Sequence, residues 1–214
     1  MKFILAYGDS LVYGKMPGTP KRYERSKNFI GILEHELGNN YRIVDEGLRA
    51  RTLSGENSFF QNRNGLTQFG PILGSHLPLD LVCIFLGVND CNKKDTKNNN
   101  TIFDSLHDYK NQIVAWCKDL SVDEIPKLMI ISPSFIRAEQ LATDSTMSDI
   151  FGHDSEERSK NLKTIYKDFC DKENCIFFDA STCCITANGE GVHLDEENNA
   201  LLGKALAEKI KSIF

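Results

Sequence analysis

Five short apolar runs, all but the second followed by a helix-length amphipathic stretch before the next run or the chain end, set the limits on what this chain can fold into. They cover residues 3–7, 41–44, 79–86, 127–131 and 175–178, and the third is the strongest. Between them, residues 28–37 place Phe29, Ile30, Leu33 and Leu37 on one helical face before Gly38. Helical periodicity returns near 102–120, over 155–172 and near 196–213, where Leu202, Leu206, Ile210 and Ile213 share a face. Asp195 is placed to cap that last helix, and Glu196 and Glu197 suit its positive end. Short buried strands alternating with helices predict a parallel sheet covered on both faces. The expectation is one domain over residues 1–214: a three-layer α/β/α sandwich around a flavodoxin-like parallel sheet of about five strands.

In such sheets, ligands bind beyond the carboxyl ends of the strands, where loops from several strands converge. Three of the predicted strands end in glycine-containing turns: Gly8-Asp9-Ser10, Glu46-Gly47 and Gly87-Val88-Asn89-Asp90. Residues in these turns are therefore expected to share a pocket. Residues 133–151 make a long connection carrying Phe135, Ile136, Leu141, Met147, Ile150 and Phe151. A loop of that length beside a site is expected to act as a lid over it, or else to pack on its own core or at a subunit interface.

Composition excludes several function classes. A 41% hydrophobic, 26% charged chain with net charge -5 is an ordinary globular protein and lacks the basic surface of a general nucleic-acid binder. Lys93, Lys94 and Lys97 form the one notable basic cluster, read as a solvated loop. The apolar N-terminal run is too short for a signal peptide, and no stretch is long enough to span a bilayer. The seven cysteines are scattered without metal-ligand spacing, which suggests reduced thiols and a cytoplasmic location.

Taken singly, Ser10, Asn89 and His193 are unremarkable: a capping serine, a turn asparagine and a surface histidine. Together they form the set that acyl transfer requires, namely a nucleophile, a base held by an acid, and donors for a developing oxyanion. Ser10 would attack and also offer its backbone N–H. Gly47, with no side chain to obstruct substrate, would offer a second N–H. The Asn89 amide would offer a third, His193 would serve as general base, and Glu190 would orient the imidazole from three residues upstream. Asp9, Leu11, Tyr13, Arg49 and Val192 are the candidate pocket residues.

These blocks resemble those of the SGNH (GDSL-type) hydrolases. Gly8-Asp9-Ser10-Leu11, a glycine after the second strand, Gly87-Val88-Asn89-Asp90 and an acid-x-x-His near the C-terminus occur in the family's order. The stretches Asp45-Glu46-Gly47-Leu48-Arg49-Ala50-Arg51-Thr52, His76-Leu77-Pro78-Leu79-Asp80-Leu81-Val82 and Gly191-Val192-His193-Leu194 are similar to the bacterial arylesterase branch. The resemblance implies hydrolysis of short acyl esters of small molecules, no metal or organic cofactor, and possible homo-oligomers. Sugar or other small-molecule O-deacetylation, or a non-catalytic binding protein, would use the same frame.

Two positions depart from the family pattern. Glu190 stands where Asp is usual, so either the loop accommodates the extra methylene or a Ser10–His193 dyad leans on a backbone carbonyl. Asp195 is the rival carboxylate, although its place at a helix start suits capping. Asp45 stands where many members have Asn. A flavodoxin would instead need a Ser/Thr-rich phosphate loop after the first strand, which this sequence lacks, and a receiver domain would be much shorter.

Overall fold

A computed structural model describes residues 1–95, 97–141 and 143–214. Its five strands are β1 (Lys2–Gly8), β2 (Tyr41–Gly47), β3 (Leu81–Phe85), β4 (Lys127–Ser132) and β5 (Ile176–Asp179). They form one parallel sheet in the order β2-β1-β3-β4-β5. This is the expected α/β fold. The crossover direction reverses between β1 and β3, and a crevice opens at such a point.

Among the described residues the α-helices are α1 (Ser10–Tyr13), α2 (Phe29–Leu37), α3 (Gly65–His76), α4 (Asn99–Asp119), α5 (Ala138–Leu141), α6 (Ser145–Ile150), α7 (Ser155–Glu173) and α8 (Glu196–Lys211). Side chains alternate across each strand, so the sheet presents two different apolar faces. Ile4, Ala6, Cys83, Phe85, Met129 and Ile131 meet Phe29, Ile30 and Leu33 of α2 and Leu206 and Ile210 of α8. On the opposite face Tyr7 packs edge-on to Phe69 of α3 at 5.1 Å, and Phe69 packs on Tyr109 of α4 at 4.9 Å. Each such aromatic pair adds about 0.5–1.5 kcal/mol beyond its burial. The two hydroxyls are satisfied as well: Tyr7 donates to the Gly65 carbonyl and Tyr109 to the Leu53 carbonyl, both at 2.7 Å.

Helix α3 is an element that hydropathy did not reveal. Gly65, Gly70, Pro71 and Gly74 all disfavour a helix in isolation. Tertiary packing reverses that preference, because a Cβ on Gly70 or Gly74 would lie 2.5 Å from the Trp116 ring. The glycines let α3 and α4 approach closely. The connection 133–151 is likewise more ordered than expected and carries α5 and α6, with Ala142 outside the described residues. Lys97 corrects the reading of a solvated basic loop: its ammonium is largely buried and pairs with Asp95 and, at 3.2 Å, with Asp90. Lys94 lies 4.4 Å from the Phe59 ring centre, and Lys93 donates to the Ser148 carbonyl.

The termini of the helices follow their sequence signals. Asn28 caps α2 through the Gly31 amide at 2.9 Å, and Asp195 caps α8 through the Asn198 amide at 2.9 Å. All seven cysteines are free thiols. Among the described residues, no helix is long and apolar enough to cross a membrane.

Strand register brings the three glycine-containing turns together. Gly8 pairs with Gly47 on one side and with Phe85 on the other, so the three strand ends lie side by side. Gly47 is required there for a steric reason: a Cβ would sit 2.2 Å from the Tyr13 amide nitrogen and 2.6 Å from the Val12 carbonyl carbon. Gly47→Ala is expected to destabilise the fold by about 1–3 kcal/mol through this backbone clash, measured by urea unfolding. A change of only a few tenths would mean that α1 shifts without cost.

Candidate active site

Ser10 owes its position to a sharp turn at the end of β1. The turn needs Gly8, whose added Cβ would meet Val12 Cγ2 at 2.3 Å and the Phe85 carbonyl oxygen at 2.7 Å. Asp9 then caps α1, its carboxylate accepting from the Leu11 amide at 2.9 Å. The helix lasts four residues and closes at Gly14 in the left-handed conformation, φ 79°. Ser10 opens this short helix, directed out of the sheet end.

His193 arrives from the other end of the chain on a loop that fastens itself. The Ala187 amide donates to the His193 carbonyl at 2.7 Å, and the Gly191 amide donates to the Ala187 carbonyl at 3.0 Å. Gly191 has φ 82°, a conformation suited to glycine, and its carbonyl accepts from the Arg137 amide at 3.0 Å. The loop thereby sets His193 Nε2 2.9 Å from Ser10 Oγ.

Glu190 faces the opposite ring nitrogen. Its Oε1 is hydrogen-bonded to His193 Nδ1, while Oε2 accepts from the amides of Val192 at 3.0 Å and His193 at 2.7 Å. The loop has accommodated the longer acid, and Asp195 is occupied as the α8 cap. With Nδ1 donating to the carboxylate, Nε2 is left to accept the Ser10 proton. Lys15 adds an unanticipated cation. Its Nζ lies 3.6 Å from Glu190 Oε1, with the two side chains only 9% and 2% exposed.

Electrostatics follow from burial and partners. Burial raises the Glu190 pKa, but the His193 hydrogen bond and charge and the two amides outweigh it and hold the acid below the ordinary carboxylate range. Burial is also the largest influence on His193 and lowers its pKa from 6.5. Glu190 opposes this, whereas the Lys15 and Arg49 charges reinforce it. Neutral imidazole beside ionised carboxylate is the state required of a general base.

Asn89 follows β3 in a short 3-10 turn after Gly87, which has φ 117°. Its Nδ2 donates to the Arg51 carbonyl at 3.0 Å and to Asp9 Oδ2 at 3.3 Å. A substrate oxygen would have to take over the longer contact. Asp9 is fully buried, and burial pushes its pKa up to about 7 against the Leu11 amide. Arg51 completes the frame: its guanidinium donates to the carbonyls of Gly8 (2.8 Å) and Glu46 and stacks 4.2 Å from the Tyr7 ring centre.

Ser10 and His193 open into a cavity of about 470 Å³. Asn89, Arg49 and Val192 line it. Asp9, Leu11, Tyr13 and Gly47 do not. Asp9 and Leu11 are buried beneath it, and Tyr13 packs under the Arg22 guanidinium at 4.8 Å. From the β2 loop Ala50 also lines the cavity, with φ 65°. Its carbonyl is held by Asn57 Nδ2 at 2.9 Å, and its amide has no acceptor among the described residues. No sequence pattern announces this turn, because left-handed alanine is uncommon. Met147, Ile150 and Phe151, from α6 and its end, form an apolar wall. Among the described residues, no group of three His, Cys, Asp or Glu side chains is placed to hold a metal ion.

Residues 4–206 match the model of the GDSL-like Lipase/Acylhydrolase family. The chain belongs to that family. Among solved structures, Est24, a carbohydrate acetylesterase from Sinorhizobium meliloti, is 32% identical with a TM-score of 0.91, and each chain is covered completely. The M. smegmatis aryl esterase is 30% identical, also with a TM-score of 0.91 and complete coverage of both chains. A lipase/acylhydrolase from Enterococcus faecalis, 15% identical with a TM-score of 0.67 over 100% of this chain and 97% of its own, shares the fold. No curated protein matches by sequence. Family membership makes this chain a carboxylic-ester hydrolase.

The geometry of its histidine generates a pH prediction. Labelling of Ser10 by a fluorophosphonate is expected to rise with pH and level off, with the inflection below 6.5, because burial favours the reactive neutral imidazole. An inflection above 6.5 would mean that Glu190 stabilises the imidazolium more than burial opposes it.

Proposed function

We propose that the protein is a serine esterase acting on short acyl esters through an acyl-enzyme on Ser10. The observation that carries this reading is the continuous relay Ser10 Oγ–His193 Nε2, then Nδ1–Glu190, at the floor of the cavity. Ser10 Oγ attacks the ester carbonyl as Nε2 removes its proton. Nε2 then returns that proton to the departing alkoxide, and the C–O bond breaks. Water enters by the same route: His193 deprotonates it, it attacks the acyl carbon, and Ser10 recovers its proton as the carboxylic acid departs.

The oxyanion would be met by the Ser10 amide, the Asn89 side chain and a backbone amide from the β2 loop. For that last donor we favour Ala50, whose amide is free at the cavity wall, over Gly47, whose missing side chain admits α1. The apolar wall of Met147, Ile150 and Phe151 suits a short acyl chain. In this reading the connection 133–151 walls the pocket.

A second reading stays within the same chemistry. Est24 acts on carbohydrate acetates, and the cavity here also carries polar Thr19, Asn57 and Asp144, which suit a sugar alcohol. A panel of acetylated sugars beside aryl acetates separates the two readings by kcat/KM.

The deciding assay is hydrolysis of p-nitrophenyl acetate by wild type and Ser10→Ala at equal concentration. Ser10→Ala and His193→Ala are expected to lower kcat by on the order of 10⁴–10⁶. Equal activity in wild type and Ser10→Ala would remove the nucleophile assignment. Asn89→Ala is expected to cost roughly 10²–10³, and full activity in it would exclude Asn89 as an oxyanion donor. Glu190→Gln should lose less than Ser10→Ala, and no loss would take Glu190 out of the triad.

A further inference from the structure

The cavity has a charge that the rest of the molecule does not. The chain carries a net charge of -5, yet the cavity is lined by Lys15, Arg49 and Arg63 against a single carboxylate, Asp144. The three cations are not equivalent. Lys15 is buried against Glu190. The Arg63 guanidinium is spent on the backbone carbonyls of Arg49, Gln61 and Asn62, at 2.8, 2.9 and 3.1 Å. Asp144 uses its Oδ1 to cap α6 through the Thr146 and Met147 amides. Arg49 is left: an exposed guanidinium at the cavity with no carboxylate within ion-pair distance among the described residues. An unpaired guanidinium beside low-dielectric walls is a strong recognition element for an anion.

Its side of the cavity is also defined. Arg49 lines the same cavity as His193, and Lys15 Nζ stands 3.6 Å from the Glu190 carboxylate that holds the imidazole, which sets the cationic lining beside His193. The leaving oxygen must reach His193 Nε2 to be protonated, so the alcohol portion of an ester occupies that side. The apolar wall of Met147, Ile150 and Phe151 is left to the acyl group. We infer that this enzyme selects esters whose alcohol portion bears a carboxylate or comparable anion, with Arg49 as the specificity-determining residue. The inference rests on the esterase reading and narrows its substrate class.

Two esters of matched shape test it: 4-acetoxybenzoate, anionic on the alcohol side, and its neutral methyl ester. The readout is the ratio of kcat/KM, anionic over neutral, in wild type, Arg49→Gln and Arg49→Lys. Comparing enzymes on the same pair cancels the intrinsic reactivity of the esters. The ratio is expected to fall about ten- to hundredfold in Arg49→Gln, mainly through KM of the anionic ester, and to recover in part in Arg49→Lys. The wild-type ratio should also shrink as salt rises to about 0.5 M. A ratio unchanged in Arg49→Gln, or an equal loss on both esters, overturns the proposal.

A binding arm is independent of turnover. Calorimetric titration with 4-hydroxybenzoate and methyl 4-hydroxybenzoate is expected to show Arg49→Gln weakening the acid alone, whereas equal affinities in wild type would overturn the proposal. If neither ester is hydrolysed, the esterase reading fails while this arm still decides the charge preference.

Discussion

The buried Arg51 guanidinium ties together the parts on which the site depends. It donates to the carbonyls that end β1 and β2, stacks on Tyr7 and reaches Gln68 Oε1 at 3.1 Å. Its own carbonyl receives the Asn89 amide, which links the end of β3 to the same point. A planar guanidinium donates to these fixed acceptors while its face lies on the Tyr7 ring, a combination that the compact ammonium of a lysine does not supply. Three strand ends are thereby held in one arrangement, and the Ser10 turn inherits it. The cost of burying the cation, which lowers its pKa, is offset by these fixed acceptors.

Around that clamp, three buried carboxylates have different fates, decided by their partners. Burial takes Asp9 up to about 7 and Asp90 to about 6, since neither has enough compensation. Asp90 does have Lys97 and the Leu53 amide at 2.6 Å, so it also anchors the β2 loop to the β3 turn. Glu190 is held low because a histidine and two amides face it. Glu190, the carboxylate that faces His193, is thus the member of the three that stays ionised. Lys15 strengthens this and works against protonation of His193.

Much of this was legible along the chain. Apolar runs of strand length, helical periodicity between them and glycines at their ends specify a parallel α/β sheet, because backbone sterics and burial act locally. Ser10 and Asn89 at strand ends and His193 in an acid-x-x-His segment were readable as a candidate set, since acyl transfer demands such groups. Helix α3 was not legible: its three glycines and Pro71 signal loop until Trp116 of α4 is laid against them. Nor was Lys97 recognisable as a buried ion-pair partner, because a lysine reads as solvated unless the carboxylates folded onto it are known.

By itself, then, the amino-acid order determined the layer architecture and the kinds of chemical group at the strand ends. Only the tertiary structure decided which of them meet. Register between strands placed Gly8 beside Gly47 and Phe85, and a self-fastened loop carried His193 across 183 residues of chain to Ser10. The same packing assigned Glu190 to the imidazole and Asp195 to the helix cap, and left Arg49 unpaired at the cavity. Local preferences are properties of neighbouring residues. Pairings between distant side chains depend on how all the layers close together, which no short stretch encodes.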